Sequence, residues 1–205
     1  MAIRPALVSL MFSLMLPLAL LVSTVPAAAQ HGGSTPGSHA APSEASQFDF
    51  LVGQWEVVAE PYVAGLAALI HGAPRLPGTW KAWRGLGGWG IEDEIQLTDP
   101  SGNPQVLTHC VRVYDVKLRH WNLSFVDVYS SALRSATAEW RDGEMHISGG
   151  GSDPDGRVYV SRSRFKDITP ASFRLQQDRS YDGGRTWTDG FLKIEAKRVA
   201  ATAPR

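Results

Sequence analysis

The sequence predicts an all-β fold, a single antiparallel up-and-down barrel of about nine or ten strands with a short helical or irregular insertion after the first strand. Three observations lead there. Apolar residues recur at every second position in short runs, which is the signature of a half-buried strand. The runs are separated by Asp/Gly/Pro turn chemistry. No helical stretch is available to cover the apolar face, so the sheet most simply closes on itself.

The chain of 205 residues opens with Arg4, an almost unbroken apolar run from Ala6 to Val25, and Pro26-Ala27-Ala28-Ala29-Gln30. That order of charge, apolar run and small-residue exit is a secretory signal, with cleavage expected after Ala29 and export to periplasm or medium. Residues 30–45 are Gly, Ser, Pro, Ala and His without apolar period, and read as a disordered leader. Residues 46–199 form the barrel domain, and residues 200–205 a flexible tail.

Within the domain, Trp55, Val57 and Ala59 alternate with Glu56 and Glu60 in a first strand. Residues 61–77 lack strand character. Tyr62, Leu66, Leu69 and Ile70 fall there at near-helical spacing between prolines, so the segment is either a short helix over one mouth or an apolar connector. Ile91, Ile95 and Leu97 alternate with Glu92, Glu94 and Gln96; near the end Leu192, Ile194 and Ala196 alternate with Lys193, Glu195 and Lys197. Between the runs, Asp99-Pro100-Ser101-Gly102, Asp142-Gly143, Asp153-Pro154-Asp155-Gly156 and Asp182-Gly183-Gly184 supply positive-φ positions for hairpins.

The segment Phe48-Asp49-Phe50-Leu51-Val52-Gly53-Gln54-Trp55 resembles the opening of calycin-type barrels, among them lipocalins and nitrobindin-like proteins. It is still more similar to an exported bacterial family, domain of unknown function 1579. Val113-Tyr114-Asp115 ahead of Trp121, and Ser180-Tyr181-Asp182-Gly183-Gly184-Arg185-Thr186-Trp187, extend the likeness over nearly the whole folded part. The resemblance implies that Trp55 closes one end of the barrel and stacks with a basic residue of the last strand, here Arg198. It also raises haem, which stays open as an alternative, but no haem-ligating histidine can be carried over to a numbered position, so no cofactor is predicted. The single cysteine, Cys110, excludes the lipocalin disulfide.

Odd-numbered parity places three polar side chains on the inward face of their strands: Asp93 between Ile91 and Ile95, His109 between Leu107 and Val111, and Asp127 beyond Leu123 and Phe125. Arg162, beyond Val158 and Val160, joins them on the apolar even-numbered face of its strand. Unpaired charges inside a barrel are costly, so this cluster pairs internally or orients the polar end of a ligand. Trp80, Trp83 and Trp89, around the Gly-rich residues 85–90, either line the mouth or pack.

After cleavage 19 basic residues face 20 acidic ones, which argues against nucleic acid or an anionic membrane as partner. There is no Gly-x-Ser-x-Gly elbow, no His-Glu-x-x-His, no phosphate loop and no metal-ligating set. Three functions stay open. The first is a binding barrel for a small, mainly apolar molecule, working as a monomer or weak dimer without membrane insertion. The second is an isomerase or cyclase using His109 as base with Asp93 or Asp127 and Arg162. The third is a cell-envelope structural or interaction module with a filled interior.

Overall fold

Alternating faces and turn chemistry lay the chain out as ten strands in the computed structural model, which describes residues 40–65 and 72–200. They are β1 (Gly53–Pro61), β2 (Leu76–Gly85), β3 (Gly90–Thr98), β4 (Pro104–Asp115), β5 (His120–Asp127), β6 (Ala132–Arg141), β7 (Glu144–Ser152), β8 (Val158–Lys166), β9 (Ser172–Ser180) and β10 (Thr188–Arg198). Every strand pairs antiparallel with its sequence neighbours, and β1 pairs with β10, so the sheet is a closed up-and-down barrel without a free edge. The hairpins fall where turn residues were expected: Gly102, Asp142, Gly143, Gly156, Gly183 and Gly184 all adopt positive φ.

The expected signal and the start of the leader lie outside the described residues. The folded part begins ahead of Ser46, because a 3-10 turn spans Ser43–Ser46 and Ala45 is buried. The helical spacing in the insertion rests on Leu66, Leu69 and Ile70, which lie outside the described residues; its flanks at residues 62–65 and 72–75 carry neither helix nor strand.

One end of the barrel is stopped by the segment before β1. A second 3-10 turn, Asp49–Leu51, drives Phe48 and Leu51 into the interior, where both are fully buried. The Phe48 ring meets Trp121 edge-on at 4.9 Å and Phe165 at 6.2 Å, and Trp55 meets Phe173 at 4.7 Å. Such edge contacts add about 0.5–1.5 kcal/mol each beyond burial. Trp55 and Trp121 keep their indole N–H groups satisfied, donating to the Leu51 carbonyl at 2.7 Å and to Gln47 Oε1 at 3.0 Å.

Arg198 ties this plug to the wall. It stands opposite Trp55 in the β1–β10 register, and its guanidinium lies 4.0 Å from the centre of a Trp55 ring. The same group donates to the carbonyls of Pro170, Val52 and Phe50, so one cation joins the last strand, the β8–β9 connector and the plug. Gly53 makes this possible, since its φ is +133° and a Cβ there would stand 2.2 Å from Arg198 Nη1.

The β9–β10 hairpin is held by Asp182. The Thr186 backbone N–H, then the Thr186 and Ser180 hydroxyls, donate to its carboxylate and hold its pKa well below the usual carboxylate range. A carboxylate with a folded pKa below its unfolded value contributes stability above that unfolded value, near pH 4, and loses it as pH falls further. Asp182→Asn is therefore expected to flatten the decline of stability between about pH 4 and pH 2 in acid titrations followed by circular dichroism. An unchanged acid limb would rule out this role.

Candidate functional site

The other half of the barrel, away from the plug, is not filled. It contains a cavity of about 340 Å³ whose wall is mostly apolar, with Leu97, Val106, Phe125, Ile147, Leu192 and Ile194 among its side chains. Small residues leave this space open. The inward positions of β6 are mainly alanine, and the facing part of β7 is Gly149-Gly150-Gly151. A Cβ on Gly149 would stand 3.0 Å from the Ala136 Cβ, and one on Gly150 would stand 2.6 Å from the Tyr159 carbonyl oxygen.

A buried ion pair lies in the cavity wall. Asp93 on β3 is 2 % exposed, accepts the Trp80 indole N–H at 2.7 Å, and contacts the guanidinium of Arg112 on β4, itself 2 % exposed. Asp93 stands opposite Cys110 in the β3–β4 register, and directly opposed residues of an antiparallel pair share a face. Cys110, Arg112 and Tyr114 therefore point inward, and the diagonal from Asp93 reaches Arg112. Burial draws the Arg112 guanidinium down to about 9, which leaves it protonated at neutral pH. The Cys110 thiol is pushed far up by desolvation and stays neutral.

The same register corrects the expected position of His109. Its side chain is on the outer wall, 3.5 Å from Glu92 and beside the Trp83 ring at 5.8 Å. Both faces of β4 carry apolar residues, so Leu107 and Val111 looked inward while Val106 and Cys110 in fact are. Arg162 is likewise outside. Tyr159, Ser161, Ser163 and Phe165 take the inner face of β8, and Val158 and Val160 are 71 % and 38 % exposed.

Arg162 has structural neighbours there. It donates to Asp178 at 2.9 Å and to Asp189 at 3.2 Å, and lies 4.3 Å from the centre of a Trp187 ring. Asp178 is buried at the β10 irregularity, where it also accepts the Gly190 N–H at 2.8 Å. The four expected polar residues are thus not one cluster. Asp93 and Asp127 line the cavity, while His109 and Arg162 stand on opposite sides of the barrel wall from them.

The three expected mouth tryptophans also separate. Trp80 is 4 % exposed and lines the cavity, Trp83 points outward at 40 % exposure, and Trp89 sits in the β2–β3 connector at the plugged end. Arg112, Arg134, Tyr159 and Arg179, all lining residues, were missed. Arg112 was legible in principle: a buried Asp93 needs a cation, and this arginine is on the next strand.

Toward the far end of the cavity Arg179 lies over the Tyr159 and Phe191 rings, 4.0 Å from each centre, and donates to Asp153 Oδ1 at 2.9 Å. Tyr181 donates to the other Asp153 oxygen at 2.8 Å. Asp127 closes β5, and its carboxylate accepts the Ser130 N–H at 3.3 Å. None of the described histidines, His109, His120 and His146, lines the cavity. Among the described residues no three His, Cys, Asp or Glu side chains gather as a metal site. An apolar chamber with a few convergent polar groups suits a small ligand. No protein-family model and no curated protein matches the chain, so this geometry is what its function must be read from.

Proposed function

We propose that the protein is an exported binding barrel that holds a small, mainly apolar molecule in its interior. The observation that carries this reading is the cavity of about 340 Å³, walled by aliphatic and aromatic side chains and stopped at one end by the Phe48–Trp55–Trp121 plug. Burying an apolar ligand there contributes roughly 25 cal/mol per Å² removed from water. Export rests on the Arg4, apolar-run and Ala27-Ala28-Ala29 pattern. The resemblance to calycin-type barrels, on Gly53-Gln54-Trp55, supports a carrier role, and the Trp55–Arg198 stack is what that resemblance implies.

The isomerase reading needed an imidazole inside the barrel, and His109 is outside. The filled-barrel module needed a packed interior, and the cavity is large enough for a ligand.

The first test is native against denaturing mass spectrometry of protein purified from an exporting host, with its visible absorption spectrum. A non-covalent mass lost on denaturation is the expected result, and a Soret band would name haem. Alongside, the uncharged probe N-phenyl-1-naphthylamine is expected to bind saturably at one per chain. Ala132→Trp, which projects an indole into the cavity, is expected to weaken that binding at least about tenfold. Absence of saturable uptake, or uptake indifferent to Ala132→Trp, would end the carrier reading.

A further inference from the structure

Resting on the binding reading above, we infer that the ligand is an apolar-tailed anion whose head group is held by the Arg134 guanidinium and the Tyr159 hydroxyl. On β6 the inward residues are Ala132, Arg134, Ala136 and Ala138, so a single long cation interrupts an otherwise alanine face. Arg134 is partly buried, lines the cavity, and has no hydrogen bond or ion pair among the described residues.

The other two arginines of the cavity differ in this respect. Arg112 is neutralised by Asp93, and Arg179 by Asp153. The nearest acid on the neighbouring strand, Asp127, stands two positions away in the β5–β6 register and accepts from the Ser130 N–H. Arg134 is therefore the lining arginine that makes no ion pair among the described residues, with the Asp127 carboxylate on the diagonal rather than in contact.

A second group points to the same place. Tyr159 is 6 % exposed, and its ring is fixed beneath Arg179 and against Tyr181, yet its hydroxyl makes no hydrogen bond among the described residues. The ring is buried but the hydroxyl oxygen is not sealed from solvent, so it is free to donate to a ligand in the chamber. The Tyr159 and Arg134 tips flank one point: a Cβ placed on Gly151 would stand 2.9 Å from Tyr159 Oη and 3.3 Å from Arg134 Nε. Both groups thus stand over Gly151, near enough to each other for one head group to reach the guanidinium and the phenol, both hydrogen-bond donors.

An acceptor satisfies both donors, and the guanidinium favours an anionic, planar one that can take two parallel N–H bonds. Phe125, opposite Arg134 in register, and Val106 and Leu97 beyond it offer only apolar contact, which sets the rest of the ligand. A volume of about 340 Å³ is at the small end for ligand chambers, so the tail is short, on the order of ten carbons.

Calorimetric titration of the purified protein with decanoate, 1-decanol and decyltrimethylammonium separates the tail from the head. Decanoate is expected to bind at least about tenfold tighter than either of the others. Arg134→Gln is expected to lower decanoate affinity at least about tenfold and decanol affinity by much less, so that the preference is lost, Arg134→Lys to keep part of it, and Tyr159→Phe to weaken decanoate by about threefold. Decyl sulfate binding as tightly as decanoate also supports an anion anchor. Equal affinity for decanoate and decanol in the wild type, or a decanoate affinity unmoved by Arg134→Gln, overturns the anchor and leaves the binding barrel standing. If none of the three ligands binds, both readings fall together.

Discussion

Arg112→Met is expected to destabilise the barrel by about 3–5 kcal/mol. The guanidinium and the Asp93 carboxylate are each about 2 % exposed, so removing one partner leaves the other as an uncompensated charge in a low-dielectric interior. Trp80, whose indole N–H donates to the same carboxylate, supplies a single neutral hydrogen bond and cannot replace the cation. Asp93→Leu alone is expected to cost a comparable amount, because Arg112 then remains charged and buried. The double variant, Asp93→Leu with Arg112→Met, is expected to recover most of the loss, since two apolar side chains can replace a buried ion pair at little cost. Urea denaturation of the four proteins gives the coupling directly as a double-mutant cycle. Additive losses would mean that the two groups do not hold each other's charge.

Phe48→Ala is expected to cost about 3–5 kcal/mol for a different reason. This ring is fully buried at the centre of the plug, with edge contacts to Trp121 and Phe165 and the Arg112 guanidinium 5.0 Å from its centre. The Trp121 and Phe165 rings beside it belong to strands fixed in a closed barrel, which limits collapse into the space, so most of the cavity term is felt. Thermal and urea unfolding followed by tryptophan fluorescence measures the loss. Leu133→Ala, at a position 81 % exposed on β6, serves as the comparison and is expected to stay within about 0.5 kcal/mol of wild type. A Phe48→Ala protein as stable as that one would show that the segment before β1 is an ornament of the barrel and not its stopper.

Most of the barrel can be read from residue order because three strands carry charges on one face and apolar groups on the other. In β1, β3 and β10 the glutamates and lysines between Trp55 and Ala59, Ile91 and Leu97, and Leu192 and Ala196 leave one choice of inward face. The hairpins at residues 99–102, 142–143, 153–156 and 182–184 follow from Asp and Gly tolerating positive φ. Asp93 was placed inside for the same reason as Ile91.

On β4 and β8 that logic has nothing to choose with. Leu107, Val111 and Val113 alternate with Val106, Cys110 and Tyr114, while Val158 and Val160 alternate with Tyr159 and Phe165, so apolar residues occupy both faces. A shift of one position exchanges every side chain across the wall, and that shift moved His109 and Arg162 from the expected interior to the outside. The amino-acid order by itself determined the closed antiparallel barrel, its hairpins and the inward faces of the strands whose other face is charged. Pairing across strands decided the rest: Asp93 opposite Cys110 turns Arg112 inward, and the glycines of β7 leave Arg134 and Tyr159 facing open space, because a strand's face is settled by its neighbour's register wherever its own two faces are alike.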